Sequence, residues 1–137
     1  MQPPPHRFPL LAAGIFGTAG VALGAMGAHA LQPLLTERGM AQVWETGARY
    51  HIYHAIALLG LAAFLRSSTS VAEANRLVWA ARCWTLGIVL FSGSLYWFAV
   101  GGPHGLVYVT PLGGVALLVG WVFVIAAAWC RVTPGSG

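Results

Sequence analysis

Four apolar stretches, each about 20 residues long, constrain this chain more than any other feature: 9–30, 46–65, 82–100 and 112–130. A bilayer core of about 30 Å is crossed by a helix of about 20 apolar residues. No water reaches backbone N–H and C=O groups at that depth, so each stretch must close its own hydrogen bonds as a helix; runs of this length exclude strands. Only 7% of the 137 residues are charged and 58% are hydrophobic, where a soluble chain carries roughly 25% charged residues. The expectation is an all-α fold: an integral membrane four-helix bundle, antiparallel, with a single domain over 9–130. A short N-terminus (1–8) and a short tail (131–137) flank it.

The junctions agree with four helices. Ser70 to Glu73 reads as a capping box that starts the third helix before the membrane. Thr110 followed by Pro111 predicts an N-cap and a first helical residue for the fourth. Gly101, Gly102 and Pro103 end the third. Gln32 and Pro33 close the first helix or open a short surface segment. Met40 to Glu45 extend the second helix outward, and Glu45 lies four residues before Arg49 in the favourable order for an ion pair. Ala28-His29-Ala30 resembles a signal-peptide cleavage site, but the apolar stretch is longer than a usual signal core and only Arg7 precedes it. A retained helix is expected.

Arginine placement sets a direction. With four spans, Arg7, Arg66, Arg76, Arg82 and Arg131 share one side, and Arg38 and Arg49 lie on the other. The positive-inside rule then puts both termini in the cytoplasm, with the chain in the bacterial inner membrane, or in the mitochondrial inner membrane for a eukaryotic source. His29, His51, His54 and His104 fall on the outer side. The net charge of +4 comes from seven arginines scattered at the ends of apolar runs. It forms no basic stripe, so no nucleic-acid partner is expected. Cys83 and Cys130 lie in apolar runs without CxxC spacing and read as free thiols.

Lipid is as apolar as leucine, so helices associate in a membrane through small residues and polar bonds. Gly20 and Gly24 with Ala28 form a small stripe on the first helix. Gly93 between Ser92 and Ser94, and Gly113 with Gly114, offer close approaches on the third and fourth. At 100° per residue, Gly47, Tyr50, His51 and His54 share one side of the second helix. The expectation is a polar outer layer made of His29, Tyr50, His54, Ser92, Tyr96 and Thr110, with Arg49 reaching headgroups or Glu45.

Four blocks carry a resemblance: GAMGAHAL (24–31), WETGARYHIYHAIALL (44–59), LFSGSLY (90–96) and TPLGGVALLVGW (110–121). They are similar, in order and spacing, to the YgdD-like family, also called domain of unknown function 423, which includes eukaryotic transmembrane protein 256. The resemblance implies a four-helix integral membrane protein and supplies no reaction. Its pattern residues here are Gly24, Gly27, His29, Trp44, Thr46, Gly47, Tyr50, His54, Ser92, Gly93, Ser94, Tyr96, Thr110, Pro111, Gly113, Gly114 and Trp121. The chain departs from the pattern at Met26, where the family has phenylalanine, and at His51, where it has glutamine. That departure makes His51 a weak candidate for any shared role.

The function these features favour is a structural or accessory component of a membrane complex: a subunit, assembly factor or scaffold, with a protein partner or further copies of itself in the lipid bilayer. One alternative is a metal- or haem-binding protein using His29 and His54. Another is an oligomeric small-solute channel or transporter, against which stands the lack of any acidic residue within a span. No enzyme, cofactor, catalytic residue or metal site is expected. Glu37, Glu45 and Glu73 lie in loops or at helix ends, and no GxSxG, HExxH or P-loop occurs.

Overall fold

Residues 6–132 of the computed structural model are described here, and they are helical almost throughout. Helix α1 (Arg7–Ala28) is followed by a short α2 (Gln32–Glu37) and the long α3 (Ala41–Arg66). Helix α4 (Val71–Gly87) passes through one π-helical segment (Ile88–Ser92) into α5 (Gly93–Ala99). A 3-10 turn (His104–Tyr108) leads into α6 (Val109–Val132). Four stretches are long and apolar enough to cross a membrane: Arg7–Ala28, Ala41–Arg66, Val71–Ala99 and His104–Cys130.

The third span is longer than its apolar stretch suggests. Its 29 residues rise about 43 Å, well beyond a hydrocarbon core of about 30 Å. Glu73, Asn75 and Arg76 dilute the apolar pattern of its first turns, yet Leu77, Ala80 and Ala81 there are buried in the core. Those turns are part of the bundle. The cap that starts the helix is formed as the sequence predicts: Ser70 Oγ accepts from the Glu73 N–H at 3.1 Å. The Glu73 carboxylate reaches back to the Thr69 N–H and hydroxyl, at 2.9 and 3.1 Å.

Two helix pairs build the bundle. Helix α1 packs on α3, α4 packs on α6, and α3 joins the pairs through α4, the π segment and α5. Glycines set the closest approaches. A Cβ on Gly20 would lie 2.6 Å from Ile52 Cδ1. Trp44 fills the space beside Gly27, Leu117 that beside Gly87, and Trp84 that beside Gly120. At Gly113 the neighbour is backbone, Leu90 and Phe91 of the π segment, so no side chain can turn aside to make room. One core centres on Leu58, Leu61, Leu77, Trp84, Ile88 and Leu117. A second, toward the α2 end, holds Leu35, Trp44, Tyr96 and Ala99.

Three expectations are corrected. Gly24 and Gly93 have no atom within 4 Å of a Cβ position; the close approaches of α1 are made at Gly20, within the expected stripe, and at Gly27, outside it. Gly114 meets Phe91 only at ordinary van der Waals distance, 3.7 Å. Thr110 is not the N-cap of the last helix, because the 3-10 turn feeds helical backbone directly into Val109. Its hydroxyl bonds Ser94 instead, at 2.7 Å. The α2 segment opened by Gln32 and Pro33 buries Leu35 and ends at Gly39, whose φ of 66° suits glycine. Arg38 beside it donates Nε–H to the Ala99 carbonyl at 3.1 Å, satisfying an end of α5 that Gly101 (φ 101°) terminates.

Candidate functional site

The part of α3 nearer α2 carries the polar side chains that the sequence singles out. His54 is 6% exposed. Its Nδ1 lies 2.8 Å from the Tyr50 carbonyl one turn back, and its Nε2 lies 3.2 Å from Trp121 Nε1 of α6. A carbonyl only accepts and an indole N–H only donates. His54 is therefore the neutral imidazole with its proton on Nδ1, and both nitrogens are occupied. Trp84 and Trp121 close around the ring edge-on, with centroids 5.9 and 6.2 Å away. Trp84 in turn donates to the Leu117 carbonyl at 3.3 Å.

A second cluster ties α3 to α1 and α5. His51 is buried beneath Phe16 and Tyr96. Its Nδ1 lies 3.3 Å from the Tyr96 hydroxyl. Its Nε2 makes no hydrogen bond of normal geometry, although the Phe16 backbone is close enough to interact with the ring. Tyr96 stacks at a tilt on Trp44, centroids 4.6 Å apart, and Trp44 donates to the Leu23 carbonyl of α1 at 3.1 Å. A third link joins α5 to α6. Ser94 has one hydroxyl hydrogen, and the Phe91 carbonyl at 2.9 Å can only accept it. Thr110 must then be the donor to Ser94.

The six residues expected to form one layer are thus divided. His54, Tyr96 and Thr110 bond across helices, in three separate clusters. Tyr50 lies at the edge of the buried face, 42% exposed, with its ring against His54 and Phe91. The Ser92 hydroxyl is buried without a hydrogen-bond partner. His29 is exposed at the C-terminal cap of α1. Because Gly27 packs on Trp44, His29 lies at or beyond the level of Trp44. His54 is ten residues further along α3, about 15 Å deeper. No single ion or haem iron bridges these two histidines. Among the described residues no three His, Cys, Asp or Glu side chains are grouped to hold a metal ion.

Sequence reasoning missed the opposite end of the bundle. Glu73 is 2% exposed, the most buried acidic side chain described. One turn on, Arg76 donates from Nη1 to the Ala126 carbonyl of α6 at 2.8 Å and lies against Cys130 Sγ. The capping-box pattern was the only local signal for Glu73; its burial comes from α4 packing on α6. Arg49 pairs with Glu45 at 2.6 Å on the exposed face, as their spacing suggests.

The chain is similar to proteins named as membrane proteins. UPF0382 membrane protein YwdK of Bacillus subtilis is 44% identical over 112 residues, 79% of this chain and 85% of that protein. UPF0382 inner membrane protein YgdD of Escherichia coli K12 is 39% identical over 122 residues, 89% of each chain. A UPF0382 membrane protein of Haemophilus influenzae is 36% identical over 102 residues, 74% of this chain and 77% of that protein. No solved structure matches. The family described as protein of unknown function DUF423 matches residues 23–114, which run from the Leu23 that Trp44 bonds to the glycines against the π segment. With its four membrane-spanning helices and these relatives, the chain belongs to the DUF423 family of membrane proteins.

Proposed function

We propose that this protein is a structural or accessory component of an inner-membrane complex, a subunit, assembly factor or scaffold rather than an enzyme. One observation carries the reading: most buried polar groups of the outer half are spent on the protein itself, the exceptions being the Ser92 hydroxyl and His51 Nε2. Both His54 nitrogens, the Trp44 and Trp84 indoles, Ser94 and Thr110 bond across or within helices. Reactive groups serving chemistry or transport would instead converge on a shared opening. The inner-membrane placement follows the naming of the Escherichia coli relative.

The four spans run antiparallel with both termini cytoplasmic. Pairing of Gly27 with Trp44 and of Gly20 with Ile52 supports opposite directions for α1 and α3. The excess of arginine on the side of Arg7, Arg66, Arg76 and Arg82 supports the orientation. Helix α1 leaves most of its surface to the outside, so lipid or a partner helix must cover it. The test is to purify the tagged protein from its native membranes in mild detergent and identify by mass spectrometry what accompanies it. A stoichiometric protein partner or a defined homo-oligomer is expected. A monomer without a partner contradicts the proposal.

A further inference from the structure

A lateral cavity of about 400 Å³ separates α3 from α6, with Gly60 of one helix and Ala128 of the other on its walls. The two helix pairs are therefore joined chiefly through the third span, where α4, the π segment and α5 pack on α3. That contact is long. It runs from Leu77, in one core with Leu61 and Leu65, to Tyr96 and Ala99, in one core with Trp44. Two helices stay in contact over such a length only if each keeps one face toward the other.

Helix α3 keeps its face by a regular pattern. Its buried residues Gly47, His51, His54, Leu58, Leu61 and Leu65 alternate steps of four and three, a spacing that stays on one side of an α-helix. The third span begins in the same way, with Glu73, Leu77, Ala80 and Trp84. It then departs. Trp84, Ile88, Ser92 and Tyr96 are all buried and follow one another in steps of four. Each such step overshoots a full α-helical turn by about 40°, so an unbroken helix would aim Tyr96 about 120° away from Trp84. Tyr96 could then reach neither His51 nor Trp44, both of which it meets. Ser94, also buried, lies on the side away from Ser92 and Tyr96 and bonds Thr110.

The π segment lies where the steps change, at Ile88–Ser92. A turn closed by i→i+5 bonds holds about one residue more than an α-helical turn, which takes back about 100°. Tyr96 then falls within about 20° of Trp84, and Ser92 and Ala99 return to the same face. The wider turn needs room on the α6 side. A Cβ at Gly113 would run into the backbone of Leu90 and Phe91, so the π segment rests directly on that glycine. We infer that the π segment is a phase corrector. It carries one residue more than a regular helix needs, so that both halves of the third span present a single face to α3, and Gly113 is the notch that receives it. Removing one residue there, at the exposed Val89, brings Trp84, Ser92, Tyr96 and Ala99 into phase on a plain α-helix.

Thermal unfolding of the full chain in detergent tests this with two single-residue deletions and one substitution. Deletion of Val89 should leave the unfolding temperature within about 5 °C of the parent's. Deletion of Ile56, also exposed but in the regular α3, turns one half of that helix by about 100° against the other and should abolish the folded state. Gly113→Ala should lower the unfolding temperature of the parent and leave that of the Val89 deletion nearly unchanged, because the wide turn it collides with is gone. A Val89 deletion that fails to fold overturns the phase correction, and so does an Ile56 deletion tolerated as well as that of Val89. Gly113→Ala that is harmless in the parent, or equally costly in both backgrounds, overturns the part assigned to Gly113.

Discussion

Trp121 donates its indole N–H to His54 Nε2 at 3.2 Å, across the gap between the last span and the second. Helices α3 and α6 hardly touch elsewhere, for the lateral cavity lies between them. This bond, with the edge contacts of both tryptophans on the imidazole, is a direct tie between two helices otherwise positioned through α4, the π segment and α5. His54→Ala should lower the thermal unfolding temperature in detergent, by a destabilisation of about 2–4 kcal/mol from the lost bond and the void together. Trp121→Phe removes the donor and keeps most of the ring, and should cost about 0.6–2 kcal/mol. A double-mutant cycle should show the two effects to be less than additive. Full additivity would falsify the bond.

Glycine positions on the helices should separate sharply. Gly113→Ala drives a methyl group into the backbone of Leu90 and Phe91, which cannot rotate away, so α6 must shift. Destabilisation of about 2 kcal/mol or more is expected. Gly24→Ala meets nothing and should be neutral or stabilising by up to about 1 kcal/mol through helix propensity. Unfolding of both variants in the same detergent gives the comparison, and equal effects would refute the packing described.

The Ser70 cap is a local device with a local measure. Ser70→Ala removes the acceptor of the Glu73 N–H and should cost about 1 kcal/mol. Glu73→Ala should cost more, because it also frees the Thr69 N–H and hydroxyl in a part-buried place. Amide hydrogen exchange should rise at the start of α4 in both variants while α1 keeps its protection. Uniform loss of protection along the chain would show that the cap is not local.

Direction in the membrane is open to a reporter test. With both termini cytoplasmic, a C-terminal alkaline phosphatase fusion in a bacterial host should be inactive and a C-terminal green fluorescent fusion bright. Gly105→Cys, in the exposed turn between α5 and α6, should react with a membrane-impermeant maleimide from outside the cell. The inverse pattern contradicts the orientation.

Much of the fold is legible in the sequence because its signals are local. Lengths of apolar runs give the spans, Ser70 with Glu73 gives a start, and Gly101 with Gly102 and Pro103 gives a stop. The candidate site is less legible. Which face of α3 is buried depends on how it rolls against two neighbours, and that roll puts Tyr50 at the edge and His51 at the centre. The π segment leaves no mark in the pattern of residues 82–100, yet it is where the backbone meets Gly113. The cavity comes from small residues on helices far apart in the chain, Gly60 and Ala128, and no local pattern announces it. His29 and His54 look like a pair only until helix depth is counted.

The central claim is that His54 is a closed structural joint, with both ring nitrogens committed to the protein. Nitrogen NMR of histidine-labelled protein in lipid nanodiscs, assigned by comparison with His54→Gln, measures this directly. A neutral ring with its proton on Nδ1 and an unprotonated Nε2, unchanged when zinc, copper or haem is added, is the predicted result. A proton on Nε2, an imidazolium, or a signal that moves or disappears on adding one of those ligands would contradict it and make His54 a site of chemistry.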